Sequence, residues 1–486
     1  MFRNTMPRYE ILSPDAIAVL DKGWRRIVAE IGVQFAKPEA VELFRKAGQR
    51  TDGEVVFFDP EFVLEQVAKA PREFDVQARN PDNSVHIGGD EMVFSAVYGS
   101  PFVREGDVRR DATLDDFRRL CQLSQSFPQL DSAGGVICEP NDAPLDSRHL
   151  DMIYALQTVT DKIYMGNVVS GQNAADTIAM TEILFGQGQG RDHGRASIER
   201  TPATISLINC NSPLRWDDRM LDAQFEYCAA NQAVVMTPFL LMGAMSPVSI
   251  PAAIVQQLAE ALTGIALAQL IRPGCPVIFG SFLSNIDMQS GSPAFGTPES
   301  AIGLLATGQL ARHYGLPFRT GGGLNASQTA DAQAAYEALM TLLPTFLAGT
   351  NFVMHAAGWL EGGLVSCYEK FIIDVELLRM LRVEFTPLEI DEESLAFGAH
   401  EEVGHGGHFL GAAHTMERFR DCFYRPLLSS TANYERWLRL GAKDATARAT
   451  EICAKTLAEY QPPPLDDAVR AELDDFVARR RAELGD

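Results

Sequence analysis

The chain has 486 residues, 46% of them hydrophobic and 22% charged, enough to bury a sizeable core and more than one compact domain needs unless that domain is a (β/α)8 barrel of about 250 residues with flanking parts. A formal charge of -22 and a pI near 4.9 leave no general basic surface for phosphates, which excludes nucleic acid as the expected partner. Mean hydropathy of -0.05, the lack of an apolar h-region at the start and the lack of an apolar run of about 18 residues predict neither a signal peptide nor a membrane span, and a cytoplasmic protein.

In chain order, Ser13-Pro14-Asp15 and Lys37-Pro38-Glu39 predict two helix starts, followed by extended pieces at Val55 to Phe58, Phe74 to Gln77 and Val85 to Ile87 around a helix at Pro60 to Ala70. Residues 1–91 thus read as an α+β extension. From Met92 the pattern becomes strand, turn, amphipathic helix. The candidate strands are Val93 to Tyr98, Ser132 to Cys138, Lys162 to Val169, Ala203 to Asn209, Ala233 to Leu240, Pro276 to Ser281, Pro317 to Gly321 and Asn351 to His355. Eight such units with no Gly-rich dinucleotide turn predict an α/β fold, a (β/α)8 TIM barrel over residues 92–386.

Ser100 to Asp111 is expected as a hairpin excursion, and Gly186 to Arg200 as a polar, mobile, glycine-rich loop. After Gly321, the triad Tyr336, Leu339, Met340 with Leu343 marks an apolar helix face, and Asn325 with Gln328 resembles a capping box. Residues 387–486 form a C-terminal cap and helical segment.

In a barrel the carboxyl ends of the strands build the site. Those ends supply Tyr98, Glu139, Asn167, Asn209, Asn211, Met242, Met245, Ser281, Phe282, Gly321 to Gly323 and His355, with Trp359 and Glu361 just beyond. Gly321-Gly322-Gly323 before a helix suits a phosphate cradle, but with neither a GxGxxG spacing nor a P-loop lysine a tight turn is the preferred reading. His355 on an apolar strand is by type more often a core histidine, and its place at a strand end raises its functional weight. Tyr98 and Trp359 are equally core aromatics or cation-holding walls. His405, His408 and His414 do not match a zinc spacing, and a glycine-rich loop packed over the barrel is preferred. The eight cysteines form no C-x-x-C pair, so no metal and no disulfide framework are expected.

The runs GGGLNASQTADAQAAYEALMTLLPTFLAGTNFVMHAAGWLEGG and GHGGHFLGAAHTMERFRDCFYRPLL resemble the trimethylamine methyltransferase family, and the likeness extends over nearly the whole chain. The resemblance implies a barrel that passes a methyl group from a methylated amine to the cobalt of a separate corrinoid protein. Trimethylamine enzymes of that family carry pyrrolysine in the turn after the last barrel strand, at the position aligned with Gly362, so the chain is similar to the non-pyrrolysine branch acting on quaternary amines such as glycine betaine.

That resemblance implies a small quaternary amine substrate, a corrinoid protein partner that supplies the cobalamin, no tightly bound cofactor and a homo-oligomer. A quaternary ammonium already has a neutral amine as leaving group, so no catalytic acid is assigned and positioning suffices. Tyr98 and Trp359 are expected as aromatic walls, Glu361 as counter-charge, and His355 or Asn209 as donors to a substrate carboxylate. The corrinoid loop pattern D-x-H-x-x-G has no full match, and Ser84 to Gly89 reads as strand and turn. Two other classes stay open: a barrel lyase or hydrolase with His355 as base, and a non-catalytic betaine-binding barrel.

Overall fold

The computed structural model describes residues 1–485. Its centre is a curled parallel sheet whose strands are β1 (Glu91–Phe94), β2 (Tyr164–Met165), β3 (Thr204–Cys210), β4 (Ala233–Met242), β5 (Val277–Gly280), β6 (Phe318–Gly321) and β7 (Phe352–Met354). Their order is β1-β7-β6-β5-β4-β3-β2, with every neighbouring pair parallel. The two ends approach each other through single parallel bridges, Ser95 to Ser132 and Ser132 to Ile163. The expected strand Ser132 to Cys138 is reduced to bridges at its two ends, Ser132 and, paired in parallel with Ser100, Cys138. Gly134 turns the chain at φ 93°, and Gly135 lies so close to Tyr98 that a Cβ there would stand 2.8 Å from the ring, so the backbone yields its place to an aromatic side chain.

The seven strands and the bridged segment from Ser132 are each followed by a helix: α1 (Leu114–Ser126), α2 (Arg148–Val159), α3 (Gly171–Gly186), α4 (Asp218–Ala229), α5 (Ile250–Ile271), α6 (Pro298–His313), α7 (Ala332–Ala348) and α8 (Tyr368–Glu384). Thr113 caps α1 in a reciprocal capping box with Asp116. Alternation along the strands divides the core. Met236, Phe279 and Phe318 face outward onto the helices, whereas Val93, Met165, Leu207, Val235, Ile278 and Met354 fill the interior. The antiparallel pair Phe74–Val76 and Val85–Ile87 adds Val76, Val85 and Ile87 to that interior cluster, which plugs the amino-terminal end of the curled sheet.

Helix α5 is long and apolar enough to cross a membrane by length and composition, a span the sequence reading did not expect, but 83% of that stretch is buried inside the structure. It packs against the helices Pro14–Arg26 and Pro60–Val67. Trp24, Phe35 and Phe44 share one core with Leu262 and Ile265 of α5, so the core runs across residue 91 without a break.

Three local expectations are corrected. Gly186 to Arg200 is mostly helix, Arg191–Arg200, because the buried Glu182 carboxylate accepts from Arg191 Nη2 at 2.6 Å and Arg195 Nε at 2.8 Å, and Gly194 lets the two helices press together. In α7 the residues Tyr336, Leu339 and Met340 point to solvent, 61%, 39% and 45% exposed, while Ala334, Ala338, Leu342 and Phe346 face the core. The loop holding His405 and His408 is exposed rather than packed over the sheet. Around it, Leu388, Ile390, Leu410 and Phe423 also lie open; the chain returns to α8 through Tyr424 and Leu427, which donate to Glu376, and the last helices, Ala445–Glu459 and Asp467–Leu484, pack on α8, α1, α2 and α3.

Candidate active site

The inward side chains at the carboxyl ends of β6 and β7 meet in a buried cluster. Arg319, the second residue of β6, is 1% exposed. Its Nη2 donates to His355 Nε2 at 3.2 Å, its Nη1 to the Ser281 carbonyl at 3.3 Å and its Nε to Met354 Sδ at 3.1 Å. Among the described residues no carboxylate pairs with it. Burial pulls its pKa down to about 9, with Tyr98 acting in the opposite direction, so the guanidinium keeps its charge at neutral pH.

His355 follows β7 in a left-handed conformation, φ 57°, a strained position for a non-glycine residue that aims the imidazole inward. Burial and then the neighbouring Arg319 push its pKa well below the usual 6.5, so the ring is neutral. An arginine has only donors, so Nε2 is the acceptor and the proton sits on Nδ1. That Nδ1 is buried without a partner, as are Ser95 Oγ and Thr237 Oγ1, which alternation places on the inward faces of the strands after β1 and in β4.

Aromatic rings line the next level. His355 and Trp359 meet edge to face at 4.5 Å between centroids, Trp359 and Phe295 at 5.4 Å, and Phe282 stacks on Phe239 at 5.0 Å. Trp359 is clamped through the chain: its Nε1 donates to the Asn325 carbonyl at 3.0 Å, and Asn325 Nδ2 donates to the Trp359 carbonyl at 2.6 Å. Asn325 is therefore a buried clamp rather than the helix cap the sequence suggests; α7 is capped instead by Asp331.

The glycine run serves the same scaffold. Gly322 N donates to the Met354 carbonyl at 2.6 Å and Gly323 N to the His355 carbonyl at 2.8 Å, and a Cβ on Gly322 would stand 3.0 Å from the Ala356 backbone. Those amides are spent on β7 and do not cradle a phosphate. Below the Trp359 turn, Asp374 Oδ2 accepts from Gly358 N at 2.9 Å and its other oxygen pairs with Lys370, both side chains fully buried. Burial outweighs Lys370 and raises the Asp374 carboxyl to about 6.

Of the residues singled out in the sequence, His355 and Trp359 join this cluster. Tyr98 and Asn209, with Phe239, are inward side chains that keep partial exposure and so mark the rim. Burial, followed by Glu139, raises the Tyr98 phenol far above its usual range. Glu361 stands apart: its carboxylate accepts from Arg109 Nε at 3.0 and 3.1 Å, across the small sheet in which Phe102–Glu105 pairs with Val108–Asp111 and Val365–Cys367. Glu139 is held by Arg148 at 2.6 Å, Asn211 by Asp217 at 3.0 Å, and Asn167 by Asn173 at 3.2 Å.

Gly362 lies in the turn after β7 at φ 63°, and a Cβ there would touch the Phe295 ring at 3.4 Å. Arg319 is the residue the sequence reading passed over; the signal was a cation inside a four-residue strand buried at every position.

No group of three His, Cys, Asp or Glu able to hold a metal is found among the described residues. The segment Ser84 to Gly89 supplies one strand of the plug, with His86 Nδ1 2.7 Å from Asp75 Oδ1.

A family model described as trimethylamine methyltransferase (MTTB) matches residues 1–485. Glycine betaine methyltransferase of Desulfitobacterium hafniense (strain Y51) is 41% identical over 482 residues, 99% of each chain. Proline betaine:corrinoid methyltransferase of Eubacterium limosum is 26% identical over 464 residues, covering 93% of this chain and 94% of that one. The crystal structure of the Methanosarcina barkeri monomethylamine methyltransferase (MtmB) superposes with a TM-score of 0.54 at 10% identity, over 94% of this chain and 90% of that one, a likeness of fold.

Proposed function

The chain belongs to the trimethylamine methyltransferase family, and from that premise we propose that it moves a methyl group from a quaternary amine, glycine betaine or a related betaine, to the corrinoid of a separate protein. The observation that carries this reading is the absence, among the described residues of the mouth, of a group able to act as general acid. His355 is neutral with its acceptor nitrogen engaged by Arg319, Tyr98 is held far from ionisation, and Glu361 is tied to Arg109. A tertiary amine needs protonation or covalent activation before it can accept substitution at its methyl carbon; a quaternary ammonium leaves as a neutral amine and needs neither. Gly362, left-handed and against Phe295, supplies no electrophile.

A reduced corrinoid carried by the partner protein would supply the nucleophile for the methyl carbon. The chain's own residues then do three things. Trp359, Phe282 and Phe295 offer ring faces and edges to the N-methyl groups. Tyr98, Asn209 and Phe239 shape the rim, and the plugged base excludes water, so one N-methyl bond is held toward the opening.

We further read the curled sheet as a complete (β/α)8 barrel over residues 92–386, with Ser132 as the contact of the eighth stave, between the N-terminal extension 1–91 and the C-terminal segment 387–486. The exposed residues Tyr336, Leu339, Met340, Leu388 and Ile390 support a homo-oligomer, and a cytoplasmic location suits the partner. The test is methyl transfer to reduced cobalamin, free or on a corrinoid protein, followed as loss of the reduced absorbance band with trimethylamine and a panel of betaines. Reaction with a betaine and none with trimethylamine is the expected result. No reaction with any member of the panel refutes the proposal and leaves a betaine-binding barrel.

A further inference from the structure

Buried charges in folded proteins are paired, because an isolated ion in a dry interior costs several kcal/mol. Arg319 breaks that pattern. It is enclosed, it has no acid partner among the described residues, and its contacts are a thioether, one carbonyl and one imidazole nitrogen. Each of its two terminal nitrogens keeps one N–H without an acceptor among the described residues, and a planar guanidinium fork without an anion is a receptor for a carboxylate. Above them stand the rings of Phe282, His355 and Trp359, with Arg319 Cζ 5.7 Å from the Phe282 centroid.

We propose that Arg319, held in place by His355 Nε2, anchors the carboxylate of a zwitterionic quaternary amine at the floor of the site, leaving its ammonium at the ring level and its N-methyl groups toward the mouth. This rests on the methyl-transfer reading for the cationic end alone. Anchoring at the floor fixes the distance from carboxylate to ammonium that the site accepts, and so makes Arg319 the residue that separates betaines from cations lacking an acid. It also relocates the donors: Asn209 belongs to the rim, and His355 positions Arg319 by accepting from it at Nε2.

The experiment measures binding by calorimetry, with no corrinoid present, for three probes: glycine betaine, choline as the cation without an acid, and 3,3-dimethylbutyrate as the acid without a cation. Wild type is expected to bind glycine betaine best and to bind 3,3-dimethylbutyrate detectably. In Arg319→Gln, glycine betaine weakens about 100-fold, 3,3-dimethylbutyrate binding disappears and choline changes by no more than about twofold. Arg319→Lys, which restores the charge without the fork, recovers part of the loss.

Glycine betaine binding that survives in Arg319→Gln, or choline binding that falls by the same factor, overturns the proposal. Should Arg319→Gln fail to fold, the wild type alone decides: indifference to 3,3-dimethylbutyrate together with equal affinity for choline and glycine betaine overturns it. If both acids bind through Arg319 and no methyl transfer occurs with any corrinoid acceptor, the anchor stands and the reaction assigned above fails.

Discussion

Replacing Arg319 by Met is expected to stabilise the ligand-free protein. The fall of its pKa from 12.5 to about 9 corresponds to roughly 5 kcal/mol of unfavourable burial of the charge, an upper bound. The sign follows from the depression: the cost is complete at every pH below the folded value and is relieved only as pH rises above about 9, so at pH 7.5 all of it is present. Methionine follows the same path through the interior. It gives up three contacts, to Met354, Ser281 and His355, worth about 0.5 to 1.5 kcal/mol each. The net gain is then on the order of 1 to 3 kcal/mol, which for a chain of this length is roughly 1 to 3 °C in Tm.

Differential scanning calorimetry at a fixed scan rate, with and without glycine betaine, is the assay. Wild type should gain Tm with ligand; Arg319→Met should start higher and gain nothing. A ligand-free variant that melts more than about 2 °C below wild type would show that Arg319 already has its compensation inside the protein.

Further outcomes are expected elsewhere. Trp359→Ala, which empties a site shared with Phe295, Phe282 and His355, should cost about 3 to 5 kcal/mol by thermal denaturation and abolish betaine binding, whereas Trp359→Phe, which loses the Nε1 bond to Asn325, should cost about 1 kcal/mol. Gly362→Ala forces a side chain into the left-handed region against Phe295 and should lower stability by about 1 kcal/mol with a matching slip in transfer rate. Glu182→Gln frees Arg191 and Arg195, and hydrogen exchange should show faster opening of Arg191–Arg200 while the strands stay protected. Because burial and Arg319 keep His355 neutral well below pH 6.5, betaine affinity should be flat from about pH 6.5 to 8.5. It should weaken above about pH 9, as the Arg319 anchor loses its proton; a titration step near pH 6.5 refutes the neutral assignment.

The strand and helix rhythm was readable in the sequence because inward and outward faces both demand apolar residues at known spacing, and seven strands stand where that rhythm puts them. The eighth shrank to bridges at Ser132 and Cys138 for a reason no periodicity records: Gly135 makes way for the Tyr98 ring, an approach between residues of different turns. The stripe Tyr336, Leu339, Met340 was apolar at helical spacing yet faces solvent, since periodicity marks a face to be covered and does not say whether the protein's own core covers it. His355 and Trp359 were reachable from their place at a strand end. The partner of Glu361 is Arg109, 252 positions away, and only folding brings it near. Arg319 was visible as a letter, but its meaning lies in what fails to face it, and that is a property of the closed interior.

The hairpin of Phe74–Val76 and Val85–Ile87 closes the base of the sheet with Val76, Val85 and Ile87, which leaves the carboxyl ends of the strands as the one mouth of the barrel proposed above. Under the methyl-transfer reading the amine, the demethylated product and the methyl acceptor all use it. A macromolecule seated there shuts out small molecules, which imposes a compulsory order: the amine enters first, the corrinoid protein second, and the demethylated amine departs only after the acceptor has lifted away. Steady-state kinetics should therefore show the demethylated amine inhibiting competitively against the betaine and noncompetitively against the corrinoid protein, and excess corrinoid protein should slow turnover by trapping product behind it.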